Sequence, residues 1–405
     1  MKINFKLKAF PQISETFVVS NLVYAKQKGF KVGIYVDKYL GLENSSQADL
    51  LVKYKIKGDL ILPINLPLKK KDRISLFLKM VSSFRVLKFF NKYLFTNGIR
   101  WGILLSLYQY RKLKKDEIVH AHFNNKIEPM VYLHRIGYLN QRMIVTFHGY
   151  DAFLETPKSF IKKYGEFYKK NVSAVTVNSN YLKKQVIRLG VNSEKIHVIP
   201  IGIDTKFFNG YSKTLKFKKT RLITVGRIEQ LKGHAYALKA IHNLVNSGYA
   251  IEYIIIGKGN QLDNIKDEIK SLKLENIVSV VGKTSQREVL EYLKGSDIFL
   301  MPSTYDNITK RKEAFGLVSI EAQAMGLPVI GFDSGGFPET IIEGKTGYAV
   351  EDRNVLKMAN KIKCLIDNPL KYSTMSKAAI KHSKNFDHGY TTQKYLDLYK
   401  KVEIS

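Results

Sequence analysis

Glu313-Ala314-Phe315-Gly316-Leu317-Val318-Ser319-Ile320-Glu321 sets two carboxylates eight positions apart, inside a segment that runs from Met301 to Gly336. Leu317, Ile320 and Ala324 recur at three- and four-residue spacing, which predicts a helix with Glu321 on or beside its apolar face. Gly326-Leu327-Pro328 ends that helix, because glycine takes a left-handed cap and proline cannot continue. Val329–Phe332 then reads as a short buried strand, and Gly335-Gly336-Phe337-Pro338-Glu339 as a second tight turn. A helix beginning at Phe315 to Leu317 offers unpaired N–H groups and a positive dipole end to a diphosphate. Gly316 lets such an anion approach the backbone. Glu313 and Glu321 can accept hydrogen bonds from hydroxyls on either side of it. Two solvated glutamates on a surface helix would give the same spacing, so the surrounding chain decides between the readings.

Upstream, Arg221–Val225 starts an α/β series and runs into Gly226-Arg227-Ile228-Glu229-Gln230-Leu231-Lys232-Gly233, ahead of a helix beginning near His234. Arg227 and Lys232 flank a strand-to-helix turn, a position where oriented cations meet a diphosphate. Glu252–Ile256 is a buried strand closed by Gly257-Lys258-Gly259. Ile277–Val281, a helix over Ser285–Lys294 and the strand Asp297–Met301 complete the series. Regular alternation of strand and helix implies a parallel sheet with helices on both faces.

The first half opens as a second α/β series, with strands at Lys2–Leu7 and Lys31–Val36 around a helix over Ser14–Lys28. Its first turn holds Ser14, Glu15 and Thr16 without a glycine pair, so it is not a dinucleotide fingerprint. Ser14 is placed as the helix N-cap. The turn lies at the carboxyl end of a strand, where open α/β sheets bind ligands. Further strands at Ile118–Phe123 and Met143–Phe147 end in His120, His122 and the turn His148-Gly149-Tyr150-Asp151, which brings imidazoles and a carboxylate to that edge. Alternation is expected to set His120 and His122 on opposite faces, with His122 favoured for the ligand side. Pro200-Ile201-Gly202-Ile203 and the polar run 209–220 mark a linker, so one domain is expected over residues 1–203 and another over 204–385.

The charge balance narrows the partners. The chain has 66 Lys and Arg against 35 Asp and Glu, a net charge of +31. Residues 1–200 carry 35 basic and 13 acidic side chains, so most of the excess lies in the first half. Phosphate-rich partners are implied. Residues 69–115 hold 13 Lys and Arg and one acid, Asp72, interleaved with Phe77, Phe84, Phe89, Phe90, Trp101 and other large apolar groups. That texture suits an anionic membrane surface. No recognition module for nucleic acid accompanies it, so nucleic acid is not expected as a partner. A single cysteine, Cys364, excludes an internal disulfide, and neither a leader-like nor a membrane-spanning apolar run is seen. The expected location is the cytoplasm, peripheral on the cytoplasmic face of a membrane.

Taken together, Gly226-Arg227 with Lys232-Gly233, Gly257-Lys258-Gly259, Pro302-Ser303, Glu313 with Glu321, Gly326-Leu327-Pro328 and Gly335-Gly336-Phe337-Pro338-Glu339 resemble glycosyltransferase family 4. In the first half, Phe10-Pro11, the 14–17 turn, His120-Ala121-His122-Phe123 and His148-Gly149-Tyr150-Asp151 look like the colanic-acid/amylovoran type of polysaccharide-assembly transferase. The resemblance implies a GT-B architecture: two Rossmann-like α/β domains facing across a cleft, with a C-terminal helix over 386–405 crossing back to the first. It implies a retaining transfer from a nucleotide-sugar, which is a co-substrate, onto a glycan or lipid-linked acceptor in capsule, exopolysaccharide or lipopolysaccharide synthesis.

By the same resemblance, Arg227 and Lys232 would hold the diphosphate, and Phe315, Gly316 and Leu317 would supply N–H groups. Gly257 would line the donor site, Glu321 would bind ribose, and Glu313 and His148 would contact the sugar. Ser14, Glu15, Thr16, His122 and Asp151 would stand on the acceptor side. No cofactor and no metal are expected; the chain contains no Asp-x-Asp. A soluble transferase with a small acceptor, or a basic scaffold or RNA-binding protein on the same fold, are the alternative readings.

Overall fold

The buried apolar runs form two parallel sheets in a computed structural model that describes residues 1–12, 15–97, 101–215 and 219–404. The first contains β1 (Lys2–Phe10), β2 (Lys31–Tyr39), β3 (Leu60–Ile61), β4 (Ile118–His122), β5 (Arg142–Thr146), β6 (Val172–Val177) and β7 (Ile196–Val198), in the order β3-β2-β1-β4-β5-β6-β7. The second contains β8 (Thr220–Val225), β9 (Ile251–Ile256), β10 (Val278–Gly282), β11 (Ile298–Met301), β12 (Val329–Phe332) and β13 (Gly347–Val350), in the order β10-β9-β8-β11-β12-β13. Both orders reverse direction once, between β1 and β4 and between β8 and β11. Such a reversal leaves a crevice beyond the carboxyl ends of the two central strands.

Burial on both sheet faces explains why these strands read as continuous apolar runs rather than as alternating ones. In the second sheet Leu222, Tyr253, Ile255, Ile298 and Leu300 enter one core, while Ile223, Ile254, Ile256, Phe299 and Met301 enter the other. Truncating any of these to alanine would cost about 2–5 kcal/mol.

The chain groups into one unit made of Met1–Thr176, Val186–His197 and the end of the chain from Tyr395, and a second made of Val177–Gln185 and Val198–Lys394. The expected boundary near Ile203 thus falls slightly earlier, and the segment 177–185 joins the second unit. Hydrogen bonds from Ser179 to the Ala314 carbonyl and from Asn180 to Glu339 account for that. The last helix, His388–Ile404, begins in the second unit. There Phe386 packs into the core, and the Ile203 amide donates to its carbonyl at 2.8 Å. From Tyr395 onward the helix belongs to the first unit, where Tyr399 is buried.

The basic segment resolves into three helices, Lys70–Val81, Phe84–Asn97 and Trp101–Tyr110. Much of its apolar content is core: Met80, Val86, Phe90, Leu104 and Leu107 are buried. Leu68, Ile74, Leu78 and Phe84 remain exposed, Phe84 at 81%. Among the described residues no helix is long and apolar enough to cross a membrane.

Candidate active site

The second unit places most of its candidate residues after β8 and β11, the two strands at its switch point, with Gly257 directly after β9. Lys232 lies in the turn after β8, where its Nζ meets Glu313 Oε2 at 2.5 Å, with both side chains only 15% exposed. Burial opposes ionisation of Glu313, but the Lys232 ammonium, with Arg227 beyond it, outweighs that and holds the carboxyl below its ordinary range. The Glu313 backbone is fixed too, since its carbonyl accepts from the Gly336 amide at 2.7 Å. Gly335 sits at φ +67, and a Cβ there would meet the Glu313 carbonyl oxygen at 2.0 Å, so a side chain cannot replace it. Arg227 is exposed and bonds Glu229 at 2.8 Å.

The predicted helix runs from Leu317 to Ala324, with Gly316 at φ 95 as its N-cap residue. Among the described residues the N–H groups of Phe315, Gly316 and Leu317 donate to nothing. They are the unsatisfied donors that a helix start presents to an anion. The Phe315 side chain itself is core, packed against Phe386 at 5.9 Å. Glu321, one turn into the helix, makes no side-chain hydrogen bond among the described residues, and burial pushes its carboxyl up to about 7. Gly257 serves as spacing: a Cβ there would meet the Gly226 carbonyl oxygen at 1.8 Å.

At the carboxyl edge of the first sheet His120, His122 and His148 cluster instead. His120 and His122 ring centroids lie 4.3 Å apart, so the two share one face. The expectation of opposite faces fails because residues two apart in a strand point the same way. His120 is held by the Tyr399 hydroxyl at 2.7 Å and by the Thr146 hydroxyl at 2.6 Å, a structural position. His122 Nδ1 meets His148 Nε2 at 3.0 Å with the rings stacked. Burial pushes His122 down to about 3, and burial together with the neighbouring imidazole pushes His148 well below its ordinary value. Asp151 is turned into its own loop, not outward: its carboxylate accepts from the backbone of His148, Gly149 and Asn124 at 3.0, 3.1 and 2.8 Å. Burial raises it to about 6. Glu15, just before the helix Thr16–Gln27, accepts from Gln12 at 2.8 Å and is raised to about 7 by burial. Ser14 lies outside the described residues.

Two family descriptions match the chain, Glycosyltransferase Family 4 over residues 70–207 and Glycosyl transferases group 1 over residues 211–382. The chain is a glycosyltransferase. Its relatives include the amylovoran biosynthesis glycosyltransferase AmsK of Erwinia amylovora, 28% identical across 89% of each chain. A protein of Escherichia coli K12 named for colanic acid biosynthesis, WcaL, is 24% identical over 89% of this chain and 90% of its own. Its fold matches the crystal structure of Anabaena HepE in complex with UDP, with a TM-score of 0.71 and 17% identity over 99% of this chain and 100% of that one. The two doubly wound sheets are those of the GT-B fold.

The turn that carries Lys232 is also tied to Arg353, which stands in none of the sequence motifs. Arg353 donates to the Thr304 hydroxyl at 3.0 Å and to the Tyr305 carbonyl at 2.8 Å, and Thr304 in turn donates to Asp352 at 2.6 Å. The Thr304 amide bonds the Leu231 carbonyl at 2.9 Å, so this clamp reaches the turn that carries Lys232. Glu339 accepts from the Asn180 and Tyr181 amides at 2.7 and 2.8 Å, satisfying a helix start. No local sequence signal marks Arg353, whose backbone sits at φ 64.

Proposed function

We propose that the enzyme transfers a sugar from a nucleoside-diphosphate donor, with retention of configuration, onto a lipid-linked glycan during cell-surface polysaccharide assembly. The observation that carries this is the meeting of the largely buried Lys232–Glu313 pair with the free N–H groups of Phe315 to Leu317 at one switch point. The N–H groups and the cations Lys232 and Arg227 would hold the diphosphate. Their fixed charge would stabilise it as it leaves, in place of a divalent metal. Glu321 would accept from the ribose hydroxyls, and Glu313 from a hydroxyl of the sugar. The bond from the anomeric carbon to the phosphate oxygen breaks as the acceptor oxygen bonds that carbon on the same face. The acceptor proton passes to the departing phosphate, so no separate base is required. Neutral imidazoles at the first sheet's edge are suited to hydrogen bonds with sugar hydroxyls.

The names of the relatives support a polysaccharide product, and the surface of the first unit supports a membrane-bound acceptor. Leu68, Ile74, Leu78 and Phe84 stand exposed in a segment rich in lysine and arginine, a combination that favours the cytoplasmic leaflet. A panel of nucleotide-sugars read by melting temperature tests the donor: one nucleoside diphosphate should stabilise the protein, and Lys232→Ala should abolish the shift. Absence of any shift and of any donor hydrolysis across the panel would refute the assignment. Flotation on anionic vesicles tests the membrane reading, which fails if Leu68→Ser, Ile74→Ser and Phe84→Ser together change nothing.

A further inference from the structure

The strands of the first sheet run parallel, so the candidate ligand residues share its carboxyl edge and the opposite edge is free for another purpose. At that amino edge lies a cavity of about 1380 Å³, reached by the starts of β1 and β2 and by the turns leading into β4 and β5. Eight cationic side chains and three carboxylates line it, a net charge of +5. Two of the carboxylates are already engaged, Glu117 with Lys2 at 3.3 Å and Asp59 with Lys26. The side-chain ammonium groups of Lys31, Lys112, Lys114 and Lys115 have no carboxylate or hydrogen-bond partner among the described residues.

The turn that carries three of these lysines is held by its backbone. The Arg85 guanidinium donates to the Arg111 and Leu113 carbonyls at 2.9 and 2.8 Å, and Gln141 donates to the Lys114 carbonyl at 3.0 Å. A rigid turn that keeps like charges together inside a concavity costs repulsion, and a concave wall focuses the resulting field. An anion of several charges offsets that cost.

We propose that this cavity is a second anion site, for a group bearing two or more phosphates. The site is separate from the donor site, since the donor groups lie on loops after β8 and β11 in the other unit. It shares Arg85, Arg111, Lys112, Lys114 and Lys115 with the basic segment of the membrane reading, but it does not use the exposed apolar residues Leu68, Ile74 and Phe84, whose replacement tests that reading separately. The phosphates can come from a free oligophosphate or from the headgroups of anionic lipids, and the experiment separates these sources.

The full-length chain carrying Arg227→Ala and Lys232→Ala, which blunts the donor site, is titrated with inorganic tripolyphosphate and floated with phosphatidylglycerol vesicles. Saturable tripolyphosphate binding that weakens at least about tenfold in Lys112→Glu/Lys114→Glu/Lys115→Glu assigns a free ligand. Flotation lost in that variant, with no tripolyphosphate binding, assigns lipid headgroups. The milder Lys112→Gln/Lys115→Gln pair covers the case in which charge reversal disturbs folding, and should weaken binding in the same direction. Reversing the exposed Lys266, Lys270 and Lys273 of the second unit should leave both readouts unchanged. The site is overturned if neither probe binds, or if reversal at 112–115 has no more effect than reversal at 266–273.

Discussion

At the carboxyl edge of the second sheet Lys232 and Glu313 meet as charges, whereas at the same edge of the first sheet His122 and His148 meet as neutral rings. The strand orders match through the switch point, so topology does not cause the difference. What differs is what burial has been given to work against. In the second unit a largely buried carboxylate has a largely buried cation within hydrogen-bond reach, and free N–H groups nearby add positive potential. In the first unit each imidazole neighbours another imidazole, and protonating one would set like charges side by side in a dry place. One edge is therefore built to receive an anion, and the other to offer neutral hydrogen bonds.

Removing the cation breaks the comparison most severely. Lys232→Ala leaves Glu313 buried without its partner and takes away charge facing the leaving group. A fall in kcat/KM of about 10²–10³ is expected. Lys232→Arg keeps the charge and should recover part of it. An activity within twofold of the parent in Lys232→Ala would mean that this pair is structural.

Glu321→Gln comes next, and it moves stability and activity in opposite directions. Burial raises the Glu321 carboxyl from its ordinary range to about 7. Between pH 4.5 and 7 the folded state therefore binds more protons at this position than the unfolded state. Its ionisation costs stability as pH rises through that window, and the cost is complete above 7. Glutamine escapes the cost, so the variant should be more stable at pH 8 by about 1–3 kcal/mol and little changed at pH 4.5. Donor affinity should fall about tenfold at pH 8, where a charged acceptor is lost. It should fall less at pH 6, where the parent carboxyl is already largely protonated. Parallel melting curves and donor titrations at the two pH values read both effects.

Much of this arrangement is legible in the chain, and the exceptions have physical causes. Glu313, Glu321 and the Phe315–Leu317 helix start could be placed because spacing, a glycine and a terminating Gly-Leu-Pro all lie within one local segment. Arg227 and Lys232 could be placed because a strand-to-helix turn announces itself in glycines. Asp151 reads as a functional carboxylate, yet it is consumed by three backbone amides, one from Asn124 on a different loop. Ser179 holds the Ala314 carbonyl across 135 residues of chain, which no local pattern encodes. The short strand Gly347–Val350 is too brief to carry a period of its own.

The histidine edge gives a smaller effect of opposite sign. The His122 imidazole has a folded value near 3 against about 6.5 when free, so the unfolded chain binds more protons between those values. Its contribution to stability is intact above about 6.5 and is lost as pH falls towards 3. His122→Asn removes that term while keeping a polar side chain for the His148 ring. The acid limb of the stability curve should flatten by about 2 kcal/mol between pH 7 and 4. An unchanged acid limb would show that His122 is already protonated, or solvated, in the native state.

The mildest test sharpens the comparison at the support of the charged edge. Arg353 adopts φ 64 to reach Thr304 and Tyr305, and a left-handed arginine costs about 1 kcal/mol that glycine does not. Arg353→Gly therefore relieves backbone strain while losing two hydrogen bonds, and the two changes should nearly cancel in melting temperature. Activity should not cancel, because the 302–305 segment that backs the Leu231 carbonyl, and with it the Lys232 turn, is left untied. A kcat reduced about fivefold at nearly constant melting temperature is expected, since small misplacements of charge are felt strongly at a transition state. If melting temperature falls with kcat in proportion, Arg353 supports the fold as a whole and has no separate bearing on where Lys232 stands.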